Sequence, residues 1–152
     1  MLSLSTRSRY GVRFMVALAL TWGKGTELLK DISRREDISE KYLSQIVIAL
    51  KAAGLVVSQR GPRGGYALAR PPEGITVREV VEAIEGPIVP VPCTAEDGDE
   101  SGASSGRATA WAAAGMWRNL RIAIEASLAS FTLADLARQA ERVGAAADSY
   151  SI

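Results

Sequence analysis

The run Arg60-Gly61-Pro62-Arg63-Gly64-Gly65 places three glycines and a proline within six residues, between two short strand-like stretches at 55–58 and 66–69. Glycine admits positive φ and proline fixes φ near −65°, so this run ends any regular element and turns the chain. It predicts a β-hairpin with a rigid loop. What precedes the hairpin is helical in pattern. Residues 8–22 carry Val12, Met15, Val16, Ala19 and Leu20 at three- and four-residue steps, with Gly23 and Gly25 as the stop. A second, short helix is expected at 28–35 with Leu28, Leu29 and Ile32 inward, followed by a charged turn, Arg34-Arg35-Glu36-Asp37. Ser39 is a good N-cap for a third helix, whose apolar stripe is Leu43, Ile46, Val47 and Leu50 and whose stop is Gly54.

Beyond the hairpin, Thr76-Val77-Arg78-Glu79 is a capping box that opens a helix running to about residue 85, with Val77, Val80, Val81 and Ile84 on one face. From 86 to 106 the composition changes to prolines, an acidic run at Glu96-Asp97-Gly98-Asp99-Glu100, and small residues, as in a linker. Helical pattern resumes near 107 and runs to about 130, with Trp117, Leu120, Ile124 and Leu128 along one stripe. Thr132 caps a last helix containing Leu133, Leu136 and Val143, and the Ala-rich end reads as frayed. The expected fold is mostly α with a small β-hairpin wing. Residues 1–85 form a winged helix-turn-helix domain, 86–106 a flexible linker or sensor loop, 107–143 a unit of long helices, and 144–152 a disordered tail.

Charge separates along this order. Residues 1–70 hold 12 Lys/Arg against 5 Asp/Glu, a net of +7, whereas 71–152 hold 6 against 12, a net of −6. A basic first half suits nucleic acid, and an acidic second half suits a partner or regulatory surface. The absence of histidine removes the commonest general base and zinc ligand, and the lone Cys93 forms no intrachain disulfide. An enzyme is not expected, nor is a bound metal. The apolar run at 16–20 is too short to span a bilayer and lacks the layout of a signal peptide, so a cytoplasmic protein with no membrane partner is expected.

Two helices joined by a tight turn, with a third element of β-hairpin behind them, are suited to the major groove of double-stranded DNA, which admits one α-helix. Opposite its apolar stripe the third helix offers Lys41, Ser44, Gln45 and Lys51, with Ser39 and Tyr42 at its leading edge. Gln45 can contact adenine bidentately, and Ser44 suits several bases. Arg60 and Arg63 project from the hairpin loop and suit a narrow minor groove, where the potential is most negative. Arg7, Arg9 and Arg13 suit phosphate contacts, which position a protein without reading sequence. The loop does not read as a nucleotide cradle, because no Lys-Ser/Thr and no helix follow it. Trp111, Met116 and Trp117 read as core or as a seam between subunits.

Ser8-Arg9-Tyr10-Gly11-Val12, Leu43-Ser44-Gln45, Gly54-Leu55-Val56 and the wing run continuing to Tyr66 resemble the IscR/NsrR/CymR group of bacterial winged-helix transcription regulators, the Rrf group. Ile75-Thr76-Val77, Glu82-Ala83-Ile84-Glu85, Trp117 and Thr132-Leu133-Ala134-Asp135-Leu136 continue the match, which leaves out little but the linker. The resemblance implies a homodimer built on crossed long helices, each winged-helix unit reading half of a palindromic operator; a repressor, or else an activator, is expected. It implies that Gln45 and its neighbours read bases and that Arg60 enters the minor groove. IscR- and NsrR-like members hold an iron–sulfur cluster with three cysteines and a non-cysteine ligand. This chain departs from them, since only Cys93 stands in that region and Ala114 is near the place of a ligating histidine in one branch. A cluster normally takes about four ligands, largely thiolates, so none is expected. Cys93 is then a lone thiol or a redox sensor, and the acidic run a solvated linker. CymR-like relatives without a cluster imply the alternative, an adaptor that binds a metabolic enzyme or other regulatory protein through its C-terminal half.

Overall fold

The computed structural model describes residues 4–90 and 108–151. The first helix, α1 (Thr6–Leu20), is capped by Ser5, whose hydroxyl accepts the Ser8 N–H, and it is surrounded by the rest of the fold. Phe14, Met15, Ala17 and Leu18 on it are buried, and α2 (Leu29–Glu36), α3 (Glu40–Ala52) and the hairpin all pack against it. Ile32 of α2 and the stripe Leu43, Ile46, Val47 and Leu50 of α3 complete this side of the core. Leu28 does not turn inward; it is the exposed residue that starts α2, because the chain is still extended there.

The hairpin follows as β1 (Val56–Gln59) and β2 (Gly65–Leu68), antiparallel with Val56 opposite Leu68 and Gln59 opposite Gly65. A short 3-10 turn at Pro72–Gly74, which the periodicity does not announce, leads into α4 (Val77–Glu85). Thr76 and Glu79 form the expected capping box, and burial of the Glu79 carboxyl is outweighed by the Thr76 N–H and Arg70, which hold it below the usual carboxylate range. Helix α4 lies against α1 at Gly11. The Ile84 side chain takes the place a Cβ on Gly11 would occupy, so the two helices interlock there. At the same junction the Ser8 hydroxyl, buried in the interface, donates to Glu85 Oε1 at 2.6 Å, and the Ser5 N–H donates to it at 3.0 Å. Hydrogen bonds from Ser5 and Ser8 hold the Glu85 carboxyl below its ordinary range.

Helix α5 (Ala108–Ala129) is 22 residues long and has no buried residue. Its main neighbour in the chain is α4, and Arg78 of α4 pairs with Glu125 of α5 at 3.3 Å; within the helices Arg78 also reaches Glu82 at 2.8 Å and Arg121 lies 3.8 Å from Glu125. Leu120, Ile124 and Leu128 are half-covered, while Trp117 is exposed.

Helix α6 (Leu133–Tyr150) corrects the expected division of the chain in two ways. Its base belongs to the winged-helix core, because Leu133, Ala134 and Ala137 are buried and α6 packs on α1. Backbone bonds fix that base: Val77 N–H donates to Phe131 O and Leu133 N–H to Ile75 O, both at 2.9 Å. A second capping box, Thr132 with Asp135, starts the helix. Nor is the end frayed. The helix continues through Gly144 to Tyr150, since the following alanines are the strongest helix formers, and Val143 faces solvent instead of lining a core.

Because Leu133 is wholly buried, Leu133→Ala is expected to lower the unfolding free energy by about 2–5 kcal/mol in chemical denaturation. A fragment ending at residue 85 should accordingly show no cooperative unfolding transition.

Candidate nucleic-acid interface

The turn between α2 and α3 is a matter of three residues. Asp37 ends α2 in the left-handed conformation, with φ 52°, which Asp tolerates better than most side chains. Arg34 and Arg35 thus belong to the last helical turn, not to a loop. Ile38 is buried, and the Ser33 hydroxyl donates to its carbonyl at 2.6 Å. Ser39 then caps α3 by accepting the Tyr42 N–H. A helix-turn-helix results, with its second helix held at the surface by one buried stripe.

The outward side of α3 is where the expected reading residues meet. Tyr10 of α1 joins Ser39, Lys41, Tyr42 and Gln45 around a shallow groove at the leading end of the helix. Lys41 and Gln45 are exposed. Tyr42 is half-buried and meets Tyr10 edge to face, with ring centroids 5.7 Å apart, so its ring supports the groove wall. Ser44 donates its proton back to the Glu40 and Lys41 carbonyls, at 3.0 and 2.9 Å, which leaves it an acceptor towards solvent. Lys51 is turned to the hairpin, where its ammonium donates to Ser58 Oγ at 2.8 Å.

Glycine geometry positions the wing. Gly61 and Gly65 both have positive φ, at 108° and 144°. A Cβ on Gly65 would collide with the backbone of Glu27, and that close approach has a purpose. Glu27 N–H donates to Tyr66 O at 2.9 Å and Tyr66 N–H to Glu27 O at 2.8 Å, so the segment before α2 pairs with β2 as a third, one-residue strand. The Thr26 hydroxyl donates to Arg63 O at 2.9 Å, and Arg35 pairs with the Glu27 carboxylate at 2.8 Å. Arg60 and Arg63 project from this anchored loop and are both exposed; Arg63 borders a polar cleft with Lys24 and Arg35.

Arg7 and Arg9, on the first turns of α1, are exposed. Arg13 is not free as they are: it pairs with Glu36 at 3.1 Å, donates to the Glu36 carbonyl, and lies 5.7 Å from the Tyr10 ring centroid. It ties α1 to the end of α2 while its side chain stays 47% exposed. Sequence reasoning also missed Glu27, whose extended backbone precedes a helix and carries no strand pattern. It missed Ile48 as well, which stands 69% exposed on α3 and could have been found as the one branched residue off the apolar stripe. Cys93 and the acidic run at 96–100 lie outside the described residues. Among the described residues, no group of three or more Cys, Asp or Glu is placed to hold a metal ion, and no helix is long and apolar enough to cross a membrane.

Residues 4–139 match the family model Rrf2, described as an iron-dependent transcriptional regulator. The chain is 39% identical over 136 residues to the HTH-type transcriptional regulator CymR of Bacillus subtilis, covering 90% of each protein. It is 37% identical to protein rrf2 of Nitratidesulfovibrio vulgaris, covering 91% of this chain and 89% of that one. Among solved structures, CymR of B. subtilis, titled its global cysteine regulator, aligns with a TM-score of 0.75 at 40% identity, covering 91% of this chain and 98% of the other. IscR of T. potens aligns at 0.72 and 35%, covering 93% and 90%.

Gly65→Ala is expected to break the Glu27–Tyr66 pairing and to cost about 1–3 kcal/mol, through backbone strain and the collision described. Amide hydrogen exchange should speed up at Glu27 and Tyr66 while α1 stays protected.

Proposed function

Because the chain belongs to the Rrf2 family of transcriptional regulators, we propose that it acts as a homodimeric, sequence-specific repressor that reads a palindromic operator. It is a DNA-binding regulator of the CymR and IscR type and not an enzyme. The reading rests above all on one observation: α3 buries a single stripe and leaves Lys41 and Gln45 bare beside a wing locked in place by Glu27. A helix held in that way can enter the major groove by its leading half. In this reading Ser39, Lys41, Tyr42, Ser44 and Gln45 line the groove contact, with Gln45 as the bidentate reader of adenine. Arg60 enters the adjoining minor groove, Arg63 flanks it, and Arg7 and Arg9 hold phosphates. Such a protein works in the cytoplasm.

The second subunit follows from α5. Trp111, Met116, Trp117 and Ile122 are 62%, 50%, 40% and 52% exposed on one helix of an isolated chain, more apolar surface than a lone helix leaves in water. Trp111 and Ile122 fall within about 20° of each other around α5, and a second copy of α5 crossing there covers them. The alternative of an adaptor for a metabolic enzyme draws no support from relatives named as transcriptional regulators.

The family description names iron, yet the donor set here does not suit an iron–sulfur cluster. About four ligands, largely thiolates, are needed, and the chain has one cysteine and no histidine. Our reading therefore gives the regulator no cluster, and no step of the DNA binding runs through one.

Two measurements check this. Gln45→Ala should weaken operator binding by about 1–3 kcal/mol and relax one base position per half-site, whereas Arg60→Ala should weaken it most at sites flanked by A/T tracts. Equal losses on all sequences would remove both from the reading role. In sedimentation, the wild-type chain should run as a dimer and Ile122→Glu as a monomer with little affinity for a palindrome.

A further inference from the structure

Ile48 stands where an amphipathic helix has no reason to place it. The other large aliphatic side chains of α3, Leu43, Ile46, Val47 and Leu50, are no more than 2% exposed, whereas Ile48 is 69% exposed. At 3.6 residues per turn it lies about 20° around the helix from Lys41 and about 60° from Gln45, at the centre of the outward face. Exposed β-branched residues are poorer helix formers than alanine or lysine, so nothing in the stability of α3 calls for one here. One turn further on, Lys51 is tied to Ser58 of β1, which places Ile48 between the base-reading end of the helix and the wing.

A branched aliphatic group on that face offers nothing to a phosphate, to water, or to the hydrogen-bonding edge of a purine. Its one chemical complement in the major groove is the C5-methyl group of thymine. We propose that Ile48 is a specificity-determining residue that contacts a thymine methyl in each half-site. This rests on the reading of α3 as the recognition helix. It adds to that reading a base identity recognised through apolar contact, one turn of helix beyond Gln45.

The contact can be tested without knowing the operator beforehand. Sites are selected from random duplex DNA with the wild-type protein, and each thymine of the preferred site is then replaced in turn by uracil, which lacks only the methyl. One position per half-site should lose about fourfold in affinity with the wild type, as expected for one buried methyl. With Ile48→Ala the same replacement should change nothing, and the preference for thymine over uracil should vanish there alone. Because Ile48 is 69% exposed, Ile48→Ala should keep the wild-type unfolding midpoint or exceed it slightly, so a weaker complex would not reflect a damaged fold. If a preferred site is selected but every uracil effect persists in Ile48→Ala, the Ile48 contact is wrong and the recognition helix stands. If the wild type selects no site at all, the recognition helix falls and Ile48 with it.

Discussion

The burial of α1 is the constraint from which the rest follows. Helices α2, α3, α4 and α6 and strand β2 all lie against it. On the side facing α4, the Ile84 side chain fills the place a Cβ on Gly11 would take. Polar work on α1 falls to its first turns and to Arg13 at its middle. Ser5 and Ser8 hold Glu85 at one end, and Arg13 holds Glu36 further along. The exposed Arg7 and Arg9 are carried by a rod that the whole core keeps still, and the same core fixes the angle at which α3 stands out.

Features written in local chemistry were legible before any coordinates. The hairpin, the Thr76–Glu79 capping box, the Ser39 cap and the stripe of α3 each depend on residues within a few positions of one another. Strand ends shifted by a single residue. What could not be read was non-local. Arg13 finds its partner 23 residues away, and Glu27 becomes a strand only because Tyr66 lies across from it. The base of α6 joined the first domain for the same reason, since no periodicity reveals that Phe131 and Leu133 will bond to the stretch before α4.

The candidate site shows the same split. Its leading members, Lys41, Gln45, Arg60 and Arg63, were named from pattern and turn chemistry, and all four are exposed. Ser44 and Lys51 were named on the same grounds, yet each engages a partner inside the protein. Ile48 was passed over because a search for polar groups on a polar face does not look for aliphatic ones.

The attachment of α5 differs in kind from everything around it. Among the described residues one ion pair crosses from α4 to α5, Arg78 to Glu125, and solvent reaches both side chains. A pair so exposed contributes little and weakens as salt screens it, unlike the apolar contacts inside the head. The molecule is therefore stiff where it would grip and compliant at the neck. A small tilt of α5 on α4 stretches one solvated ion pair and shifts the half-covered Leu120, Ile124 and Leu128.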